Sequence, residues 1–184
     1  VAKALVFDEI TGDPTNLVDW NQRNGTADSE LQIIPLAASG VTGGKRTRTD
    51  VWITNRGTTP ATGTLAFYRG AGRTRPVRRS STEPVEARTV TVDAGKTRIL
   101  HDVIASEFLS TTANGYLLYT PASGSVAITS GTFKDSADPQ PGVSGGSGTG
   151  VPVMAASTGL KVGQTRQFGS LDDASSRTIA AAQA

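Results

Sequence analysis

The stretch 46–69 constrains this chain more than any other. It reads Arg-Thr-Arg-Thr-Asp-Val-Trp-Ile-Thr-Asn, then Arg-Gly-Thr-Thr-Pro, then Ala-Thr-Gly-Thr-Leu-Ala-Phe-Tyr-Arg. Two β-branched and aromatic runs flank a Gly/Pro turn, a pattern that predicts a β-hairpin. Thr49, Val51 and Ile53 share one face of the first run, opposite Asp50, Trp52 and Thr54. Leu65 and Phe67 share a face of the second, opposite Thr64, Ala66 and Tyr68. A period of two excludes a helix and gives each strand one wall for a core and one for solvent or a partner. The outward wall carries Trp52 and Tyr68, more aromatic surface than solvation needs, which points to a partner.

The rest of the chain agrees with this class. Its 184 residues include 21 Gly and 9 Pro, with 36% hydrophobic residues and no long helical periodicity. That is the make-up of an all-β sandwich or barrel, long enough to bury a core. Without cysteine there is neither a disulfide framework nor thiol chemistry. A net charge of +2 is too small to imply a nucleic-acid partner. No apolar run reaches transmembrane length, so no membrane insertion is expected. The sequence opens on Val1 and not on an initiator Met, so either it is trimmed or a signal peptide has been removed, and the second suits an exported protein.

Read in order, the chain divides into four parts. Residues 1–30 form an N-terminal arm with a strand-like run, Ala2 to Ile10, then a turn and irregular polar sequence anchored by Trp20. Residues 31–134 hold the sandwich. Its runs are Leu31 to Ala38, the 46–69 pair, Ala87 to Val92, Thr97 to Leu100, Tyr116 to Thr120 and Ser125 to Phe133. A short helix, Val103 to Leu109, is expected with Asp102 as its N-cap. The expected core is Val51, Ile53, Leu65, Phe67, Val90, Val92, Val126 and Ile128. Residues 135–150 read as a Gly/Ser/Pro-rich linker. In 151–184, Val-Pro-Val-Met-Ala-Ala-Ser echoes Ile34 to Ser39, and Ser176 to Gln183 echoes Thr47 to Thr54. These residues therefore read as a partial second repeat.

The runs Ile-Pro-Leu-Ala-Ala, Arg-Thr-Asp-Val-Trp-Ile-Thr-Asn, Thr-Leu-Ala-Phe-Tyr, Thr-Val-Thr-Val-Asp-Ala-Gly, Leu-His-Asp-Val-Ile-Ala and Ala-Ile-Thr-Ser-Gly-Thr-Phe occur in that order. Together they resemble a repeated Ig-like β-sandwich module of secreted bacterial surface proteins. The resemblance covers roughly Leu31 to Ala184. It implies an Ig-like sandwich and an extracellular, cell-surface address, and it transfers no active-site residue. The chain departs from the pattern in its N-terminal arm and its shortened second module.

Chemistry-bearing motifs are sparse. His101 is the sole histidine, and its place beside a helix cap favours a structural role. There is no Gly-x-Ser-x-Gly elbow, His-x-x-His pair or phosphate-cradling glycine loop. The carboxylates Asp8, Glu9, Asp13, Asp19, Asp135, Asp138, Asp172 and Asp173 lack calcium-loop spacing, so no metal or other cofactor is expected. Arg73, Arg75, Arg78 and Arg79 have no interleaved aromatics and read as a solvated loop. The chain is therefore expected not to be an enzyme.

Two functions remain open. One is a structural subunit of an extracellular filament or surface assembly, a homo-oligomer held by strand exchange. Its expected interface residues are Leu5, Phe7, Ile10, Trp52, Tyr68 and Ile179. The alternative is a non-catalytic carbohydrate-binding or spacer module of a larger secreted enzyme, with a polysaccharide partner met by Trp52 and Tyr68. A viral structural protein would share the same β-rich, cysteine-free look.

Overall fold

Short β-branched runs cut by Gly, Pro and Asn turns have one economical outcome, a set of strands that share a core. The computed structural model describes residues 3–7, 14–18, 30–70, 86–136, 147–151 and 153–155. In chain order these form β1 (Lys3–Phe7), β2 (Pro14–Val18), β3 (Gln32–Thr42), β4 (Lys45–Asn55), β5 (Ala61–Arg69), β6 (Glu86–Val92) and β7 (Thr97–Leu100). Helix α1 (Val103–Ser106), β8 (Ala113–Ser123), β9 (Val126–Ser136), β10 (Ser147–Val151) and β11 (Met154–Ala155) complete them. Among the described residues the fold is all-β with one short helix, as the period-two pattern requires.

The strands make two layers. One runs β1-β2-β10-β9-β4, with β7 on the far side of β4; the other runs β6-β5-β8-β3, with β11 on β3. β3 joins the layers, because its first part pairs with β8 and its last residues, Gly40 to Thr42, pair with β4. The turn between β3 and β4 is Gly43-Gly44 with φ of 59° and 70°, the positive angles a tight two-residue hairpin turn demands. Among the described residues all pairings are antiparallel except that of β2 with β10.

The core lies between the layers. All eight residues assigned to it from sequence are no more than 3% exposed. Leu100, Ile34, Leu117 and Tyr119 join them, and Val103, Ile104 and Phe108 cap one end, with Phe108 against Phe67 at a ring separation of 5.6 Å. Tyr119 takes the space that Gly63 leaves open on the facing strand; a Cβ at Gly63 would collide with its ring.

Four details differ from the sequence reading. The two runs of 46–69 are strands, but they do not pair with each other: β4 lies in one layer and β5 in the other. Residues 56–60 form an arch over the edge of the core, so the apolar faces of both strands meet inside. Buried Asn55 fastens this arch. Its amide donates to Thr59 O (2.8 Å) and Val92 O (2.9 Å), and its Oδ1 accepts from Gly57 N (2.8 Å).

Second, the helix spans only Val103–Ser106 and is not capped by the Asp102 side chain. Asp102 has φ 44° and ψ 57°, and its carboxylate turns to Arg46 instead. Third, the polar sequence after the arm's turn contains a strand, β2, paired antiparallel with β1 from Lys3–Val18 to Phe7–Pro14. Fourth, the Gly-rich stretch 135–150 is connector only in part. Asp135 and Ser136 end β9, and Ser147–Val151 pairs along β9 from Lys134 to Ser130. Ser130 Oγ donates to Val151 O at 2.9 Å. Val151 and Val153 thereby enter the main core.

Candidate functional site

The alternation that buries Val51 and Ile53 sends Arg46, Arg48, Asp50 and Trp52 to the outer wall of β4. Asp50 should be wet there, yet it is only 3% exposed. The reason is the turn after β7: Leu100 points into the core, and His101 and Asp102 fold back over β4 before α1 begins. Asp50 Oδ1 accepts the Asp102 backbone N–H at 2.8 Å. Its Oδ2 faces His101 Nδ1 and Arg48 Nε, each at 3.3 Å. A buried carboxylate with three such partners pins the turn between β7 and α1 onto β4.

Around it lies a belt of charge. Arg46 Nη2 donates to Asp102 Oδ2 at 2.7 Å. Arg48 also pairs with Asp135 on β9 and lies 5.0 Å from the centroid of Phe133. Phe133 in turn meets Trp52 in an edge-to-face contact at 6.3 Å. Asp102 is 6% exposed, and its Oδ1 has no hydrogen-bond partner among the described residues. An open groove of about 560 Å³ runs over this cluster, lined by Arg46, Arg48, His101, Asp102, Ala105 and Ser106.

Chemically the groove offers donors and acceptors side by side. Asp50 and His101 make a carboxylate–imidazole pair, and Ser106 lines the same groove. No hydrogen bond joins Ser106 to His101 among the described residues, so a nucleophile–base pair is not assembled. No cluster of three or more metal-ligating side chains occurs among the described residues.

The interface residues expected from sequence are scattered. Leu5 and Phe7 lie on β1, in register with Asn16 and Pro14 of β2. Ile10 and Ile179 lie outside the described residues, as do the arginines of 73–79. Trp52 sits on the outer face of one layer beside Phe133. Tyr68 sits on the outer face of the other, stacked on Tyr116 at 4.8 Å with ring planes 4° apart. These two aromatics therefore cannot form one binding platform. Burial, and then the neighbouring Tyr68, raise the Tyr116 phenol above its ordinary pKa. The groove was missed in sequence, although Arg-x-Arg-x-Asp at period two places Arg46, Arg48 and Asp50 on one face. The His-Asp pair after β7 gave no hint that it would fold back onto that face.

No family model matches this chain, and no curated protein matches it. Among solved structures, that of Thermotoga maritima 1070 superposes with a TM-score of 0.44 at 12% identity, over 67% of this chain and 93% of that one. That likeness is too loose to bear on fold or function. Among the described residues no helix is long and apolar enough to cross a membrane.

Proposed function

We propose that this chain is a structural subunit of an extracellular assembly, joined to its neighbours by exchange of the strand pair β1–β2. The observation that supports this is the seam holding that pair. It consists of the parallel register pairs Thr15–Gly148 and Asn16–Thr149. By contrast, β4 and β9 pair without interruption from Lys45–Ser136 to Asn55–Val126. A two-stranded ribbon is marginal in water by itself, so β1–β2 needs an edge to dock on. The outer edge of β10 serves equally well whether it belongs to the same chain or to the next.

Residues 19–29 join the ribbon to the rest of the sandwich, and a segment of that length spans roughly 35–40 Å when extended. That reach is enough to cross to an adjacent subunit. Exchange of this kind remakes the same contacts between chains, and a head-to-tail exchange whose rotation does not close gives fibres, the outcome proposed here. The resemblance to modules of secreted bacterial surface proteins supports the extracellular address.

Negative-stain microscopy and size-exclusion chromatography over a concentration series test the reading. The full chain is expected to lengthen into fibres as concentration rises, while a chain lacking residues 1–18 stays a folded monomer. Fibres from the truncated chain, or a full chain that is monomeric at every concentration, would contradict it.

A further inference from the structure

We infer that the groove above Asp50 and Asp102 is a subsite for a neutral, hydroxyl-rich ligand, a sugar unit of a glycan. The strongest observation is Asp102 itself. It is more than nine-tenths buried and lines the groove, yet its Oδ1 has no hydrogen-bond partner among the described residues. A buried carboxylate oxygen left unpaired is costly, so a donor supplied from outside would bind there with advantage.

Charge narrows what that donor is. Arg46 grips the other oxygen of the same carboxylate at 2.7 Å, so an ammonium or guanidinium arriving at Oδ1 would meet a like charge. An inorganic anion drawn to Arg46 or Arg48 would meet the carboxylates of Asp102, Asp50 and Asp135. A hydroxyl escapes both penalties because it donates and accepts. One hydroxyl can donate to Asp102 Oδ1 while its neighbour on the sugar ring accepts from Arg46.

The rim suits such a ligand. The Arg46 side chain is 51% exposed and the His101 side chain 72% exposed. Ser106 adds a hydroxyl, and Ala105 a methyl for the C–H face of a sugar ring. Because Asp102 Oδ1 is itself buried, binding there requires a side chain of the rim to swing aside, and half-exposed Arg46 is the one that has the room. The floor is fixed, since Asp50 holds the Asp102 backbone and His101 in place, and pre-set groups of this kind lower the cost of binding. A volume near 560 Å³ falls in the range of small-ligand sites. This site stands apart from strand exchange and from the aromatics Trp52 and Tyr68.

The chain has a single histidine, so one imidazole resonance reports on the groove. The protein is titrated by NMR with cellopentaose, maltopentaose, chitopentaose and mannopentaose, with sodium phosphate and methylammonium as charged probes. A saturable His101 shift with at least one neutral oligosaccharide, of roughly millimolar Kd, is expected, with neither charged probe saturating. Arg46→Met should weaken it about tenfold or more, and Ser106→Ala should weaken it less. Tyr68→Ala, on the opposite layer, should leave it unchanged. Failure of every neutral oligosaccharide to saturate, saturation by phosphate or methylammonium instead, or an unchanged affinity in Arg46→Met would overturn the assignment.

Discussion

Asp50 shows how a single side chain can reverse what its position implies. By alternation it belongs to the wet wall of β4, and a carboxylate there would add little to stability. Covered by His101 and Asp102, it becomes a buried anion whose partners come from its own strand and from the turn between β7 and α1. Asp50→Ala would leave the Asp102 N–H unanswered and take from Arg48 one of its two carboxylate partners, Asp135 remaining, at a cost of about 2–3 kcal/mol in urea unfolding. A loss below about 1 kcal/mol would mean the cluster is a surface ornament. Tyr119 carries the second expectation at this scale. Burial raises its phenol above the ordinary value near 10, so the folded state holds that proton more tightly than the unfolded chain does. Its contribution is complete below pH 10 and is lost as pH rises past the folded value. Unfolding midpoints should therefore fall above pH 10, and Tyr119→Phe should lessen that fall; a profile that Tyr119→Phe leaves unaltered would count against it.

Among elements, the clearest lesson is the segment 46–69. Period-two patterning identified both strands and the inward residues Val51, Ile53, Leu65 and Phe67, because alternation is a local property. Pairing is not local. A short connection with Gly and Pro suits a hairpin or an arch, and the choice rests on whether Asn55 finds backbone partners across the gap. It does, in Thr59, Val92 and Gly57. Asn55→Ala should therefore loosen the arch and cost about 2–3 kcal/mol, measured as a shift in the urea midpoint with an unchanged slope. An unchanged midpoint would show that the arch is held by strand pairing alone. The groove was half legible for the same reason: its Arg-x-Arg-x-Asp wall follows from local spacing, while the fold-back of His101 and Asp102 depends on a left-handed backbone at Asp102. Asp is enriched among non-glycine residues in that conformation, but the signal is too weak to place the turn from sequence.

For the whole molecule, the proposed joint between subunits is the N-terminal ribbon β1–β2, docked on the edge of the sandwich at β10. β2 meets β10 along two register pairs, and the same two pairs describe both a closed monomer and an open chain of subunits. Which state is occupied depends on protein concentration against the effective concentration set by residues 19–29. Because the chain has no cysteine of its own, that choice can be read by a disulfide placed across the seam. Two single variants, Thr15→Cys and Gly148→Cys, are prepared separately, mixed under assembly conditions and oxidised. Strand exchange predicts a disulfide-linked heterodimer of the two variants on a non-reducing gel, in an amount that grows with concentration. If the mixture gives none, while the Thr15→Cys, Gly148→Cys double variant closes its disulfide within one chain, the ribbon docks only on its own subunit and the central claim is contradicted.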